Sequence, residues 1–166
     1  MFLYSGNSKA GKINHNKPQL HWFNGNYLKI TKRNLDKENS NLEPALKKLL
    51  KEADTALTQG PFSVMDKKTV PPSGDKHDYT SLSPYWWPDT TKADSLPYIR
   101  RDGIVNPERE AYDKIPGYLM SKNSFTLALA YFYTGNTRYA KHAATLLKTW
   151  FINDSTRMNP NFNYAQ

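Results

Sequence analysis

The chain contains no cysteine. That excludes a disulfide framework, a thiol nucleophile and any cysteine-ligated metal site, and it leaves the compartment open. No stretch approaches the roughly 18 consecutive apolar residues of a membrane span, and the opening MFLYSGNSKAGKIN lacks the apolar run of a signal peptide. A Gly-rich phosphate loop, HExxH and Gly-x-Ser-x-Gly are missing as well, so nucleotide binding, zinc hydrolysis and serine acyl transfer have no support. Strands of useful length with alternating polarity are also absent, which makes the expected fold class all-α.

Acids are the scarcer charge: 15 Asp and Glu face 23 Lys and Arg, a formal net charge of +8. Seven of those eight charges fall in the stretch up to Lys51. The remainder is nearly neutral, so the total says little about any site further along. A solvated basic surface is the ordinary reading of such a run, and polyanion binding through these lysines is the alternative. With 166 residues and 38% hydrophobic content, one domain with a real core is expected.

Residues 1 to 25 are polar, rich in Asn and Lys, and expected to be irregular. The spacing of Tyr27, Leu28, Ile30 and Leu35 predicts a short basic helix over Asn26 to Asp36. Between Asn41 and Thr58, Pro44 in the first turn and an apolar stripe from Leu42 through Leu46, Leu50 and Ala53 to Leu57 predict an amphipathic helix, ended by Gly60-Pro61. Tyr118 to Thr134 is a helix whose second half is apolar all round, which predicts burial on most sides. Gly135 and Asn136 supply a C-terminal αL residue and an N-cap, and Tyr139, Ala140, Ala143, Leu146, Leu147 and Trp150 line the next helix. The two form an αα-hairpin whose alanines (Ala128, Ala130, Ala140, Ala143, Ala144) permit close approach. His142 falls on the polar side and is expected at the surface.

Between the helices lies SGDKHDYTSLSPYWWPDTTKADSLPYIRRDGIVNP, residues 73 to 107, with no helical or strand period. Prolines at 84, 88, 97 and 107 prevent regular pairing along most of it, and its aromatics argue against disorder. Stacked aromatics, paired arginines, amides and a histidine suit a sugar acid: pyranose C–H faces lie on aromatic rings, while hydroxyls and carboxylates need amide, Arg and Lys partners. Each residue also has a plainer use. Neighbours in an extended segment point opposite ways, so one of Trp86 and Trp87 is expected to plug the core and the other, Trp87, to face the site. Arg100 and Arg101 either meet a substrate carboxylate or pair with Asp94, Asp102 or Glu108. Tyr79, Tyr85 and Tyr98 either pack or reach the site. His77, between Lys76 and Asp78, is either structural or chemical.

Four blocks carry a resemblance: PSGDKHDYTSLSPYWWPD, LPYIRRDGIVNPE, LALAYFYTGNTRYAKHAATLLKTWF and TRMNPNFNYAQ. In that order they resemble the N-terminal part of the bacterial alginate lyase domain family, from about Leu28 to Gln166. The resemblance implies a partial (α/α) toroid of antiparallel helix hairpins over residues 26 to 166. It also implies β-elimination of a uronate polysaccharide, and a periplasmic or secreted setting for the full-length protein. The family's Asn-Asn-His motif and its Tyr/Arg segment, which carry proton abstraction, have no counterpart up to Gln166. The expectation is therefore an N-terminal fragment, inactive alone. Within it, His77 and Tyr79 are catalytic candidates, and Lys76, Trp87, Arg100, Arg101 and Asn163 are substrate-binding candidates. An acidic polysaccharide is the expected partner, with no metal, cofactor, nucleic acid or membrane. The rival reading is a non-catalytic carbohydrate-binding or helical scaffold domain.

Overall fold

The computed structural model describes residues 24–37 and 40–166, which fall into two compact units, residues 1–43 and 44–166. In the first unit, helix α1 (Gly25–Leu35) starts where the Asn24 side chain accepts from the backbone N–H of Asn26 and Tyr27, at 2.9 and 3.4 Å. Lys32 and Arg33 in its last turn complement the helix dipole. None of its residues is buried. This matches the predicted basic helix, while residues 1–23, read as irregular, lie outside the described residues.

The second unit is built on α2 (Glu43–Ala56), α3 (Lys114–Thr134) and α4 (Thr137–Phe151), so the all-α class is what the chain adopts. Their inward faces close one core, in which Ala53, Val64, Leu127, Ala130 and Leu146 are completely excluded from solvent. Such burial is the main favourable term holding the helices together, at about 1.5–3 kcal/mol for each large side chain. The hairpin forms as its sequence requires. Gly135 takes φ 70° and returns its N–H to the Tyr131 carbonyl at 2.7 Å, and the Asn136 side chain caps α4 through the Arg138 N–H.

Several details differ from expectation. Helix α3 starts a turn earlier than Tyr118, because Pro116 lies in the first turn, where its missing N–H costs no hydrogen bond. Gly117 then brings the Trp150 indole onto the helix backbone; a Cβ there would lie 3.3 Å from Trp150 Cζ2. Of the five alanines, Ala130 and Ala143 are buried, while Ala128 and Ala144 are exposed. Leu147 is also exposed, and so are Tyr118, Phe125 and Tyr131 of α3, the helix expected to be covered on most sides. His142 is not a surface residue: it is half-buried, and its Nε2 donates to the Gln59 carbonyl at 2.8 Å, joining α4 to the turn after α2. Beside it, Tyr139 donates to Asp54 Oδ1 at 2.8 Å.

The long segment between α2 and α3 is ordered by turns, a two-residue antiparallel ribbon and side-chain anchors. Strand β1 (Trp86–Trp87) pairs with β2 (Ile99–Arg100) in the register Trp86 to Arg100 and Trp87 to Ile99. Asn106, fully buried, closes the ribbon's base: its N–H reaches the Pro84 carbonyl at 2.7 Å and its Nδ2 the Trp86 carbonyl at 2.9 Å. Its Oδ1 meanwhile caps the short 3₁₀ turn Pro107–Ala111.

Candidate functional site

The loop from Asp75 to Leu82 is fixed from two sides. From beneath, Lys67 sends its ammonium to the carbonyls of Val64, Lys76 and Asp78 at 2.8, 2.6 and 3.0 Å and to Asp113 Oδ2 at 3.0 Å. Neither side chain of that pair is exposed at all. Asp113, just before α3, also accepts the Thr80 N–H at 2.9 Å on the same oxygen and donates its own N–H to the Thr80 carbonyl at 3.0 Å. Burial pushes the Asp113 carboxyl up, against the opposing pull of the Thr80 N–H and Lys67. Its other oxygen has no hydrogen-bond partner.

From above, the segment after α4 folds back over the loop. Asp78 Oδ1 accepts from Asn159 Nδ2 at 2.8 Å and Asn161 Nδ2 at 3.0 Å, and Asn159 also reaches Asp75 Oδ2 at 3.0 Å. These amides hold the Asp78 carboxyl below its ordinary value; the His77 backbone N–H, then Asn159, do the same for Asp75. Thr80 bridges Tyr164 in parallel, and Ser81 Oγ accepts the Gln166 N–H at 2.9 Å. None of Lys67, Asp78, Asn106, Asp113, Asn159 and Asn161 stood among the candidate site residues. For Asn106, the cap signature Asn-Pro-Glu was a usable local signal. For Asp78, Asp113, Asn159 and Asn161 the side-chain partners are too far apart in sequence to leave one.

The candidates themselves separate into groups. Lys76 turns its ammonium to the Met65 carbonyl at 2.9 Å. His77 is half-buried, and its Nδ1 lies 2.6 Å from the Arg157 carbonyl. A carbonyl only accepts, so Nδ1 carries the proton and, in the neutral ring, Nε2 keeps its lone pair. Tyr79 packs at the edge of the core, edge-on to Phe162 with 5.2 Å between ring centroids, and burial pushes its phenol up. Trp87 donates Nε1 to the Ile104 carbonyl at 3.0 Å and lies under the Arg101 guanidinium, 5.2 Å from its ring centroid, a cation–π distance. Trp86 and Tyr85 are exposed. Neither tryptophan belongs to the hydrophobic core, so the expected core plug is not found: cross-strand pairing holds both indoles on the ribbon instead. Arg100 pairs with exposed Asp102 at 2.7 Å.

Asn163 and Tyr98 meet in an open groove of about 840 Å³ that neither suggested alone. Thr69, Leu82, Leu96 and Tyr112 also line it. Lys76, His77, Tyr79, Trp87, Arg100 and Arg101 do not. Among the described residues no helix is long and apolar enough to cross a membrane.

Comparison with known proteins agrees with this architecture. The alginate lyase family pattern matches residues 63–166, the stretch that holds the loop, its anchors and the helix hairpin. A search of curated proteins finds no match. Among solved structures, the crystal structure of an alginate lyase from Bacteroides ovatus is similar at 48% identity and a TM-score of 0.76, over 84% of this chain and 36% of that one. The chain thus spans about a third of that relative's length. With more than half of its residues inside the family pattern, the chain belongs to the alginate lyase family.

Proposed function

We propose that the chain forms the substrate-holding part of a polysaccharide lyase that cleaves a uronate-containing polysaccharide by β-elimination, within a partial (α/α) toroid. The family match over the anchored loop is the observation that carries this reading. The relative named for alginate lyase activity supports alginate-like polyuronate as the substrate class. A periplasmic or secreted setting follows from the same reading, since such polymers lie outside the cytoplasm.

In β-elimination the proton on C5 of the uronate is removed, its electron pair forms the C4=C5 double bond, and the C4–O bond breaks with protonation of the leaving oxygen. Neutralising the adjacent carboxylate makes that proton acidic enough to abstract. On this chain, Arg100 and Arg101 are the groups suited to carboxylates, with Arg101 braced over Trp87. His77 is the group suited to accept a proton, because its Nδ1 bond leaves Nε2 as an acceptor. Tyr79, packed against Phe162, is better suited to hold the loop than to move a proton. Lys76 ties the loop to the Met65 carbonyl and is better suited to hold it than to meet substrate. The complete reaction is proposed for a protein carrying the remaining two thirds of the relative's length.

Grafting residues 63–166 into the Bacteroides ovatus enzyme in place of their counterparts tests this. The chimera is expected to generate the absorbance of the unsaturated product from alginate, and to lose at least about 100-fold in rate with His77→Ala, the usual lower size of an acid–base contribution. A folded chimera with no turnover of any polyuronate would sink the lyase reading and favour a non-catalytic carbohydrate-binding domain.

A further inference from the structure

We propose that the groove lined by Tyr98, Tyr112, Thr69 and Asn163 is a subsite that takes a pyranose by its hydroxyls and C–H face and leaves the sugar carboxylate outside. The proposal rests on the polyuronate reading above and adds how the site divides its ligand. Charge is the first observation: among the described residues, no Lys, Arg, His, Asp or Glu side chain lines the groove. A carboxylate brought against Leu82 and Leu96 would lose its water with no cation to answer it, which is costly. The groove is therefore unsuited to the very group that distinguishes a uronate.

What the groove does offer matches sugar hydroxyls. Thr69 lines the groove, and its Oγ1, tucked just beneath that wall, has no hydrogen-bond partner, an unusual condition for a buried hydroxyl. Burial, then the neighbouring Tyr98 and Glu108, push the Tyr112 phenol up, so it remains a donor well into the alkaline range. Asn163 adds both donor and acceptor capacity, and Leu82 and Leu96 supply apolar contact for a C–H face. The volume, about 840 Å³, lies within the range of small-molecule sites, roughly 300–1,000 Å³. The cations suited to carboxylates stand outside the lining. Arg100 is two residues along the same extended segment from Tyr98, which places the charge-reading group next to the hydroxyl-reading one. Recognition is thus split between a neutral pocket for the ring and exposed arginines for the acid.

Calorimetric titration of the chain with an alginate tetrasaccharide and with its carboxyl-reduced, uncharged counterpart, each at low and high salt, separates the two halves. The reduced probe is expected to bind with a salt-independent Kd. Tyr112→Phe and Thr69→Val should each weaken both probes by about two- to tenfold, the loss of one hydrogen bond. Arg100→Ala should weaken only the acidic probe and flatten its salt dependence. Tyr98→Phe is the second groove variant, and circular dichroism of every variant reports whether it folds. Binding of the acidic probe alone, or groove variants that fold yet leave both Kd values unchanged, would overturn the subsite while the polyuronate reading stands. Binding of neither probe would overturn both.

Discussion

Lys67 has three ammonium hydrogens for four acceptors, three of them main-chain carbonyls, and all are reached within 3.0 Å. A buried ion pair contributes little net stability against well-packed apolar replacements, but breaking one strands a charge and costs about 3–5 kcal/mol. Lys67→Met is therefore expected to lower unfolding stability by about that amount, read from urea denaturation, and adding Asp113→Asn should recover part of the loss. Asp78 responds to acid in a predictable direction. Its value is depressed by Asn159 and Asn161, so its contribution is complete above the ordinary carboxylate value, about 3.9, and fades as pH falls through the lower folded value. Asp113, pushed up by burial, works the other way and favours the folded state slightly on acidification. Exchange protection of the Asn159 amide, which bonds the His77 carbonyl at 2.9 Å, should decline below about pH 4 in the native chain and show a flat profile in Asp78→Asn.

At the scale of elements, the junction after α2 is the least tolerant. Gly60 has φ 82°, and a Cβ there would lie 2.6 Å from Leu146 Cδ2, a side chain with no exposure. Gly60→Ala should cost at least about 1–3 kcal/mol, the ordinary penalty of a left-handed non-glycine residue, with the clash added. A thermal scan beside Gly135→Ala, where a Cβ meets nothing within 4 Å, separates backbone strain from crowding. Helix-level features were legible because their causes are local. Gly135 and Asn136 announce a C-terminal αL residue and a cap whatever surrounds them, whereas Pro116-Gly117 hid the first turn of α3 because the pair also reads as a break. The loop's chemistry was half legible. Its composition pointed to a sugar acid, but the joining of Tyr98 to Asn163 in one groove depends on a tail folding back, which no local pattern records.

Across residues 44–166, the outer ties of the loop come from residues far after it in the chain. Removing residues 157–166 deletes the amides on Asp78, the His77 contact and the ties to Thr80 and Ser81. The helical circular dichroism should persist, since the buried core around Leu127 and Leu146 remains and only Met158 is lost from its rim. Proteolysis between residues 73 and 82 should rise more than tenfold, because several hydrogen bonds worth about 1 kcal/mol each no longer oppose opening.

The same connection has a temporal side. Asp78 waits for partners 81 and 83 residues downstream, and Ser81 for one 85 residues away. Synthesis proceeds at about 5–20 residues per second, so on the ribosome the aromatic stretch spends several seconds without its latch. A nascent chain that stalls before residue 157 therefore lacks the partners of Asp78 and Ser81 and displays this loop to proteases and chaperones, and the emergence of residues 157–166 sets when the latch can close.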